Sequence, residues 1–576
     1  MKRFLQASLL ALILLAASSP DMQAEPWVAR HGMTSAKYQS EFNKFANKGY
    51  RLTRISGYTV NGQVRYAAVW EKKSGPAWVA RHGMTSAKYQ SEFNKFARQG
   101  YRLTHVSGYA ANGQARYAAI WEKKSGPAWA ARHGMTSAKY QSEFNKFARQ
   151  GYRLTHVSGY AVGGQARYAA IWEKKSGPAW AARHGMSSSS YQTEFDNHYY
   201  QGYRLRHVSA FSVKGKAQFA AIWENQGFTY SDLQHINTTI GDFMKKYDVP
   251  GVSIGLVKDG RLVFAKGYGY ANQAKKEKVN TRHLFRIASV SKPITAVAIM
   301  KLVEQGKLSL NDKVFGAGGV LGTQYGSRPY SSKVKKITIK HLLEHTAGGW
   351  SNSSNDPMFQ KPGYNHTQLI GWVLDNRPLD TTPGTAYAYS NFGYCVLGRV
   401  IEKVTGQSYA AYVKNAVLKP AGVKDMHIGG DTKAQKRANE VIYYQPNGNP
   451  YGMKVKRMDA HGGWIASPID LLRMVVRVDG FATKKDHLKG STINTMTTAS
   501  RANPNYAKGW LVNNANNWWH NGSLPGTGSI MVRANNGLSW VVLVNTRDGG
   551  NYFSDMDSMM WDVVNGISSW PSHDLF

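Results

Sequence analysis

The sequence predicts an α+β protein in two parts: a tandem array of small helix–strand–strand (αββ) repeats, then a larger domain mixing helices with antiparallel strands. Two observations predict this. A block beginning at Trp27 returns at Trp78, Trp129 and Trp180, a constant period of 51 residues, and self-similarity of that kind marks a stacked array. From Phe228 onward the repeat is absent, and helical and strand periodicities mix over about 350 residues.

Ahead of the array, residues 1–24 read as a secretory signal peptide. Lys2 and Arg3 precede an apolar run from Leu9 to Ala17. The run is too short to span a bilayer and is followed by small residues ending at Ala24. No second apolar stretch approaches spanning length, so the chain is expected to be secreted (extracellular or periplasmic) with no transmembrane anchor. The single cysteine, Cys395, allows no intramolecular disulfide and sits in the apolar run YCVLGRV as a small core residue. The formal net charge of +38 calls for anionic surroundings. Export disfavours nucleic acid and points to acidic cell-wall or matrix polymers.

Residues 25–227 hold four copies of the repeat. Thr34 and Ser35 can cap a helix that places Tyr38, Phe42 and Phe45 on one face. Gly49, Gly100, Gly151 and Gly202 stop the successive helices. Two alternating segments follow, joined by turns such as Asn61-Gly62 and Asn112-Gly113. The fourth copy departs most, as a terminal cap does. One copy is too small to bury its aromatic face, so the copies must pack on one another. The array carries roughly 30 basic against about 10 acidic residues, about half of the charge excess. It is expected to offer an extended binding surface rather than an inert scaffold. His31, His82, His133 and His184, from ARHGM, suggest a repeated structural contact rather than a metal site.

Residues 228–576 form the second part. YSDLQHINTTIGDFMKKY reads as a helix, and GVSIGLVKDGRLVFAKGYGY as a hairpin turning at Asp259-Gly260. The stretch RIASVSKPITAVAIM holds Ser289, Ser291 and Lys292. Pro293 is tolerated in a first helical turn, and the helix continues to Gly306. Residues three apart share a helix face, so Lys292 can reach the hydroxyl of Ser289 and not that of Ser291. A lysine at least partly buried at a helix N-terminus loses its proton readily and can act as a base.

Companions follow in order. TPGTAYAYSNFGYCVLGRV supplies Tyr389, Ser390 and Asn391, and WWHNGSLPGTGSIMVR supplies His520, Asn521 and Gly522. With LFRIASVSKPITA, GKLSLNDKV, ITIKHLLEHTAGG and GGWIASPIDLLRM, these make Ser231 to Ile567 resemble the serine β-lactamase and penicillin-recognising hydrolase family. Within it the class C β-lactamases, D-alanyl-D-alanine carboxypeptidases, D-aminopeptidases and related esterases are most similar. The resemblance implies a β-lactamase-like fold, an antiparallel sheet flanked by helices with a helical subdomain. It implies no cofactor and no metal. It makes Ser289 the acylated nucleophile, with Lys292 and Tyr389 sharing the proton work and Tyr389 activating the deacylating water. Asn391 would bond Lys292 and the substrate amide. His520 and Gly522 would line the edge strand along which substrate pairs, and the backbone N–H groups of Ser289 and Ser523 would form the oxyanion hole. Typical β-lactamases carry lysine at the position of His520. Histidine there is the form seen in peptidases and esterases, and its charge depends on pH.

The joining of repeats to this domain resembles the polyglycine hydrolases, secreted endopeptidases that cut glycine–glycine bonds in linkers of plant defence chitinases. That implies a peptidase acting on a glycine-rich peptide or protein. Alternatives are an esterase, a D-amino-acid or peptidoglycan peptidase, and a wall-binding protein without turnover. HLLEH, His341 to His345, matches an inverted zinc-protease pattern but is expected to be a helix and turn away from the nucleophile. GAGGVLG near Gly316 lacks the strand–turn–helix setting of a dinucleotide loop.

Overall fold

The computed structural model describes residues 27–353 and 355–576; the expected signal peptide lies outside the described residues. The chain forms two compact units. The first runs to Gly177 and includes Ala182–Ser188 and Arg206–Ile222; the second holds Pro178–Ala181, Ser189–Leu205 and Trp223–Phe576. The fourth repeat is divided between them.

In the first unit each complete copy is a strand, a helix and two strands: Trp27–Met33, Ser35–Asn47, Arg51–Val60 and Gln63–Glu71 in the first. The three strands form one antiparallel sheet with the last strand in the middle. The leading strand corrects the expected αββ unit to βαββ. Its alternation is hidden because Gly32 adopts φ 67° and the register slips between Arg30 and Met33, a bulge that breaks the period of two. The helix starts where expected, with the Thr34 hydroxyl accepting the Lys37 N–H. Tyr38 and Phe45 are buried and Phe42 is half-buried.

Successive copies are joined by the SGY element. The Ser107 hydroxyl accepts the Gly57 N–H at 3.1 Å, and Ser158 and Ser209 do the same for Gly108 and Gly159. A Cβ on Gly57 would lie 2.3 Å from the ring of Tyr109, so only glycine leaves room for it. The fit recurs for Gly108 against Tyr160 and Gly159 against Phe211. The ARHGM histidines make a second contact: His82, His133 and His184 bond Ser35, Ser86 and Ser137 of the preceding copy, each at 2.9 Å. A third series, His105, His156 and His207, brings neighbouring rings to 4.5 and 4.4 Å, tilted by 58° and 50°. Each of its Nε2–H groups donates at 2.7 Å to the backbone of the copy before.

The second unit is built on a seven-stranded antiparallel sheet. Its spatial order is Glu277–Lys278, Arg261–Asn272, Gly251–Lys258, Leu538–Val544, Thr527–Arg533, Trp518–Leu524 and Leu511–Val512. The hairpin turns at Asp259 and Gly260, both at positive φ, as a two-residue loop of that composition requires. Central strands are apolar on both faces because both are covered. Val542 and Val544 join a cluster with Ile236, Ile240 and Phe243 of helix Tyr230–Lys246 and Met556, Met560 and Val563 of helix Tyr552–Asn565. Val541 and Leu543, one residue out of step, join the larger cluster holding Ile294, Val297, Phe392 and Val396. Cys395 lies in that cluster as a free, buried thiol.

Candidate active site

Ser289 sits in a single 3-10 turn, Ala288–Val290, that runs into helix Ser291–Glu304. Residues Ser291 to Met300 of that helix are all buried, as expected of a helix apolar around its whole circumference. Ala288 takes φ 47°, costly for a residue with a side chain and held only by its surroundings. The two serines separate fully. Ser291 is completely buried and its hydroxyl accepts the Trp464 N–H at 3.4 Å. Neither serine caps the helix, whose N-cap is Val290 without a side-chain bond.

Lys292 is completely buried. Its Nζ lies 3.0 Å from Ser289 Oγ, 2.7 Å from Asn391 Oδ1 and 3.0 Å from the His461 carbonyl. Burial pushes its pKa down to about 7, against a smaller upward pull from Asp356. A neutral amine has two hydrogens and one lone pair. Asn391 Oδ1 and the His461 carbonyl can only accept, so they take both hydrogens. The lone pair is left facing Ser289 Oγ, where a base must be.

Asn391 begins helix Asn391–Thr405, for which Ser390 is the N-cap. Its Nδ2 donates to Asp356 Oδ2 at 2.7 Å, which fixes the amide with its oxygen toward Lys292. Asp356 is itself the N-cap of the short helix Pro357–Gln360, with Oδ1 accepting the Met358 N–H at 2.9 Å. The sequence signal at Asp356 was only that of a cap before proline, and its chemistry was not legible. Tyr389 lies with its ring centroid 4.7 Å from Lys292 Nζ. Burial raises its pKa, and hydrogen bonding with Ser289 lowers it by less, so the phenol is protonated at neutral pH.

Two expectations are corrected. The HLLEH segment is not remote: the His345 ring packs on Tyr389 at 4.3 Å. His345 Nδ1 accepts the Ser390 N–H at 3.1 Å, and its Nε2–H donates to the Tyr506 hydroxyl, also at 3.1 Å. Tyr506 in turn donates to His520 Nε2 at 3.2 Å, and His520 Nδ1–H donates to the Asn521 carbonyl at 2.6 Å. Each bond fixes the tautomer for the next. The other members of HLLEH have different partners: His341 Nδ1 accepts the Thr338 N–H and Glu344 pairs with buried Lys508 at 2.8 Å. The second correction concerns His520. Its side chain is buried behind Tyr389 rather than lining the cleft. Burial, with a contribution from Lys292, holds its pKa down at about 3, so it is neutral across the physiological range.

Gly522 is required by close approach. A Cβ there would lie 2.3 Å from the Ile287 carbonyl and 3.0 Å from the Ser289 N–H nitrogen. Ser523, next along, is exposed. Strand Leu511–Val512 covers only Trp518 and Trp519 of strand Trp518–Leu524, so within the sheet the rest of that strand is an edge. The cleft beside it, about 390 Å³, is lined by Ser289, Asn352, Asp356, Asn391, Ser523 and Arg547, with Phe359, Met453 and Leu524 among its apolar walls.

Sheet, helical cover and a serine–lysine pair at a helix entrance are the parts of a serine hydrolase. The family model described as Beta-lactamase matches residues 236–564, and the chain belongs to that family. The four copies match the family described as polyglycine hydrolase-like structural repeat, over residues 24–73, 75–124, 126–175 and 177–226. Protein flp of Staphylococcus aureus (strain MRSA252) is 31% identical over 326 residues, covering 55% of this chain; the chain spans 64% of that protein's length. Penicillin-binding protein 4* of Bacillus subtilis (strain 168) is 27% identical over 327 residues, 52% of this chain and 68% of that protein. Among solved structures, the octameric penicillin-binding protein homologue from Pyrococcus abyssi aligns with a TM-score of 0.48 at 26% identity, over 57% of this chain and 77% of that one.

Proposed function

We propose that the chain is a secreted serine peptidase that forms an acyl-enzyme on Ser289 and cleaves peptide bonds in extended, glycine-rich chains. The observation that carries the chemistry is the Lys292 lone pair confined to Ser289 Oγ by Asn391 and His461. Lys292 takes the Ser289 proton as Oγ attacks the scissile carbonyl. The N–H groups of Ser289 and Ser523 stabilise the oxyanion. Tyr389, a protonated phenol, gives its proton to the departing amine and regains one from Lys292. In the second half-reaction water attacks the acyl carbon, its proton passes by way of Tyr389 to Lys292, and Lys292 returns it to Ser289 Oγ, which leaves as the hydroxyl. Tyr389 therefore acts as a relay, sharing the proton work with Lys292.

The substrate class rests on two supports. The open edge of strand Trp518–Leu524 beside Ser289 suits a chain held by main-chain pairing, which asks nothing of side chains. The N-terminal copies match polyglycine hydrolase-like repeats. The excess of basic residues suits the array to an anionic wall or matrix polymer. The likeness to a penicillin-binding protein in sequence favours a second reading, a D-amino-acid or peptidoglycan peptidase.

The test is incubation of the full chain with a glycine-rich linker protein, a D-alanyl-D-alanine peptide and a short-chain ester, with products read by mass spectrometry. Cuts between glycines that vanish in Ser289→Ala support the peptidase. Release of D-alanine without linker cleavage transfers the assignment to the second reading, and ester turnover alone refutes both.

A further inference from the structure

The site contains a carboxylate that acyl transfer does not demand. We propose that Asp356 is a positioning residue whose carboxylate, acting through the Asn391 amide, turns the lone pair of Lys292 toward Ser289. The inference rests on the reading of Ser289 as nucleophile and adds to it a reason for the direction of every bond in the chain.

An amide can present either its oxygen or its nitrogen to a neighbour. At Asn391 that choice decides the polarity of the site. With oxygen toward Lys292, the amine donates to Asn391 and keeps its lone pair for Ser289. With nitrogen toward Lys292, the amine must accept from Asn391 and donate to Ser289, and base catalysis is lost. Asp356 removes the choice, because an ionised carboxylate only accepts. Oδ1 takes the Met358 N–H at 2.9 Å and Oδ2 takes Asn391 Nδ2 at 2.7 Å. The Asn391 backbone is held separately, its N–H donating to Asn352 Oδ1 at 2.8 Å, so side-chain orientation is the one freedom left.

The same carboxylate is the negative charge acting on Lys292. His345, His461 and His520 also face the amine, and each is held neutral by burial. Tyr389 and Tyr394 present ring faces at 4.7 and 5.7 Å. Asp356 opposes the effect of burial and is itself acted on by Lys292 and Arg377. Neutralising it therefore has two opposite consequences: Lys292 becomes neutral at lower pH, yet points its lone pair the wrong way.

That combination is the test. In Asp356→Asn one oxygen remains for the Met358 N–H, and the new Nδ2 faces Asn391 and favours the inverted amide. Fluorophosphonate labelling of Ser289 in the full chain is followed from pH 5 to 10. The expected profile has its acid limb moved to lower pH by about 1 and its plateau lowered at least about tenfold. Asn391→Asp in the Asp356→Asn background restores an acceptor toward Lys292, and the plateau recovers. Independently of any nucleophile, competitive acetylation of Lys292 by acetic anhydride in the Ser289→Ala background reads its titration, which Asp356→Asn moves to lower pH. An unchanged Lys292 titration overturns the proposal. So does a plateau that stays at the wild-type level, or one that the second substitution fails to restore. A wild-type chain that is not labelled at Ser289 refutes the serine-hydrolase reading, while the acetylation arm still decides for or against Asp356.

Discussion

The repeat array and the hydrolase unit use the same residue types for opposite purposes. In the array, Ser35 meets His82 at 2.9 Å, and the pairing recurs at Ser86 with His133 and Ser137 with His184. In the hydrolase unit, Ser289 meets Lys292 once, at 3.0 Å, and Asn391, His461 and Tyr389 converge on the same two atoms. Glycine follows the same division. Gly57 yields space to the next copy's Tyr109, whereas Gly522 yields it to the backbone that carries the nucleophile. A polar contact that recurs with the period holds copies together. One that occurs once, with further polar groups converging on the same serine and lysine, is arranged for chemistry.

The comparison breaks most visibly at the nucleophile. Ser289→Ala is expected to abolish fluorophosphonate labelling, and Lys292→Met to slow it by about 10²–10⁴-fold. Labelling that survives Ser289→Ala and disappears in Ser291→Ala would remove the hydrolase half of the contrast. Next in size are the glycines. Gly522→Ala forces apart backbone that cannot yield and is expected to cost about 1–3 kcal/mol along with most of the activity. Gly57→Ala meets a tyrosine ring and is expected to lower thermal stability by a comparable amount with kcat unchanged. A fall in kcat for Gly57→Ala would erase the distinction.

The pH profile sharpens it further. Lys292 must be neutral to act, so kcat/KM should rise about tenfold per pH step below about 7 and level off above it. His520 adds no limb between pH 5 and 9, because it stays neutral there. A second limb near 6.5 would return His520 to the cleft. The smallest effect belongs to the array: Ser35→Ala loses the exposed hydrogen bond to His82, about 0.5–1.5 kcal/mol in thermal unfolding.

Much of this was legible in the sequence where spacing alone decides. The 51-residue period, the helix cap at Thr34, the hairpin at Asp259-Gly260 and the shared face of Ser289 and Lys292 are local relations, and local relations survive in one dimension. The leading strand Trp27–Met33 was missed because its bulge hides the alternation. His345 and Tyr506 were missed because their meaning lies in a bond path joining segments some 160 residues apart in the chain. Asp356 was passed over in the sequence; it is a cap through one oxygen, and its second oxygen holds Asn391. His520 was placed on the right strand and, sharing a face with Gly522, on the right side of it, but its side chain is buried against Tyr389 and Tyr506 instead of open to the cleft.

The SGY contact between copies gives the array a direction of growth. Each copy offers an empty space at its glycine and fills the space of the copy before with its aromatic ring. The fourth copy reads SAF, with Ala210 where Gly57, Gly108 and Gly159 stand in the others. The alanine methyl occupies the space a fifth ring would need. Whole-period duplications can therefore be accommodated ahead of the last copy but not behind it, and the number of copies is closed at one end by a single methyl group.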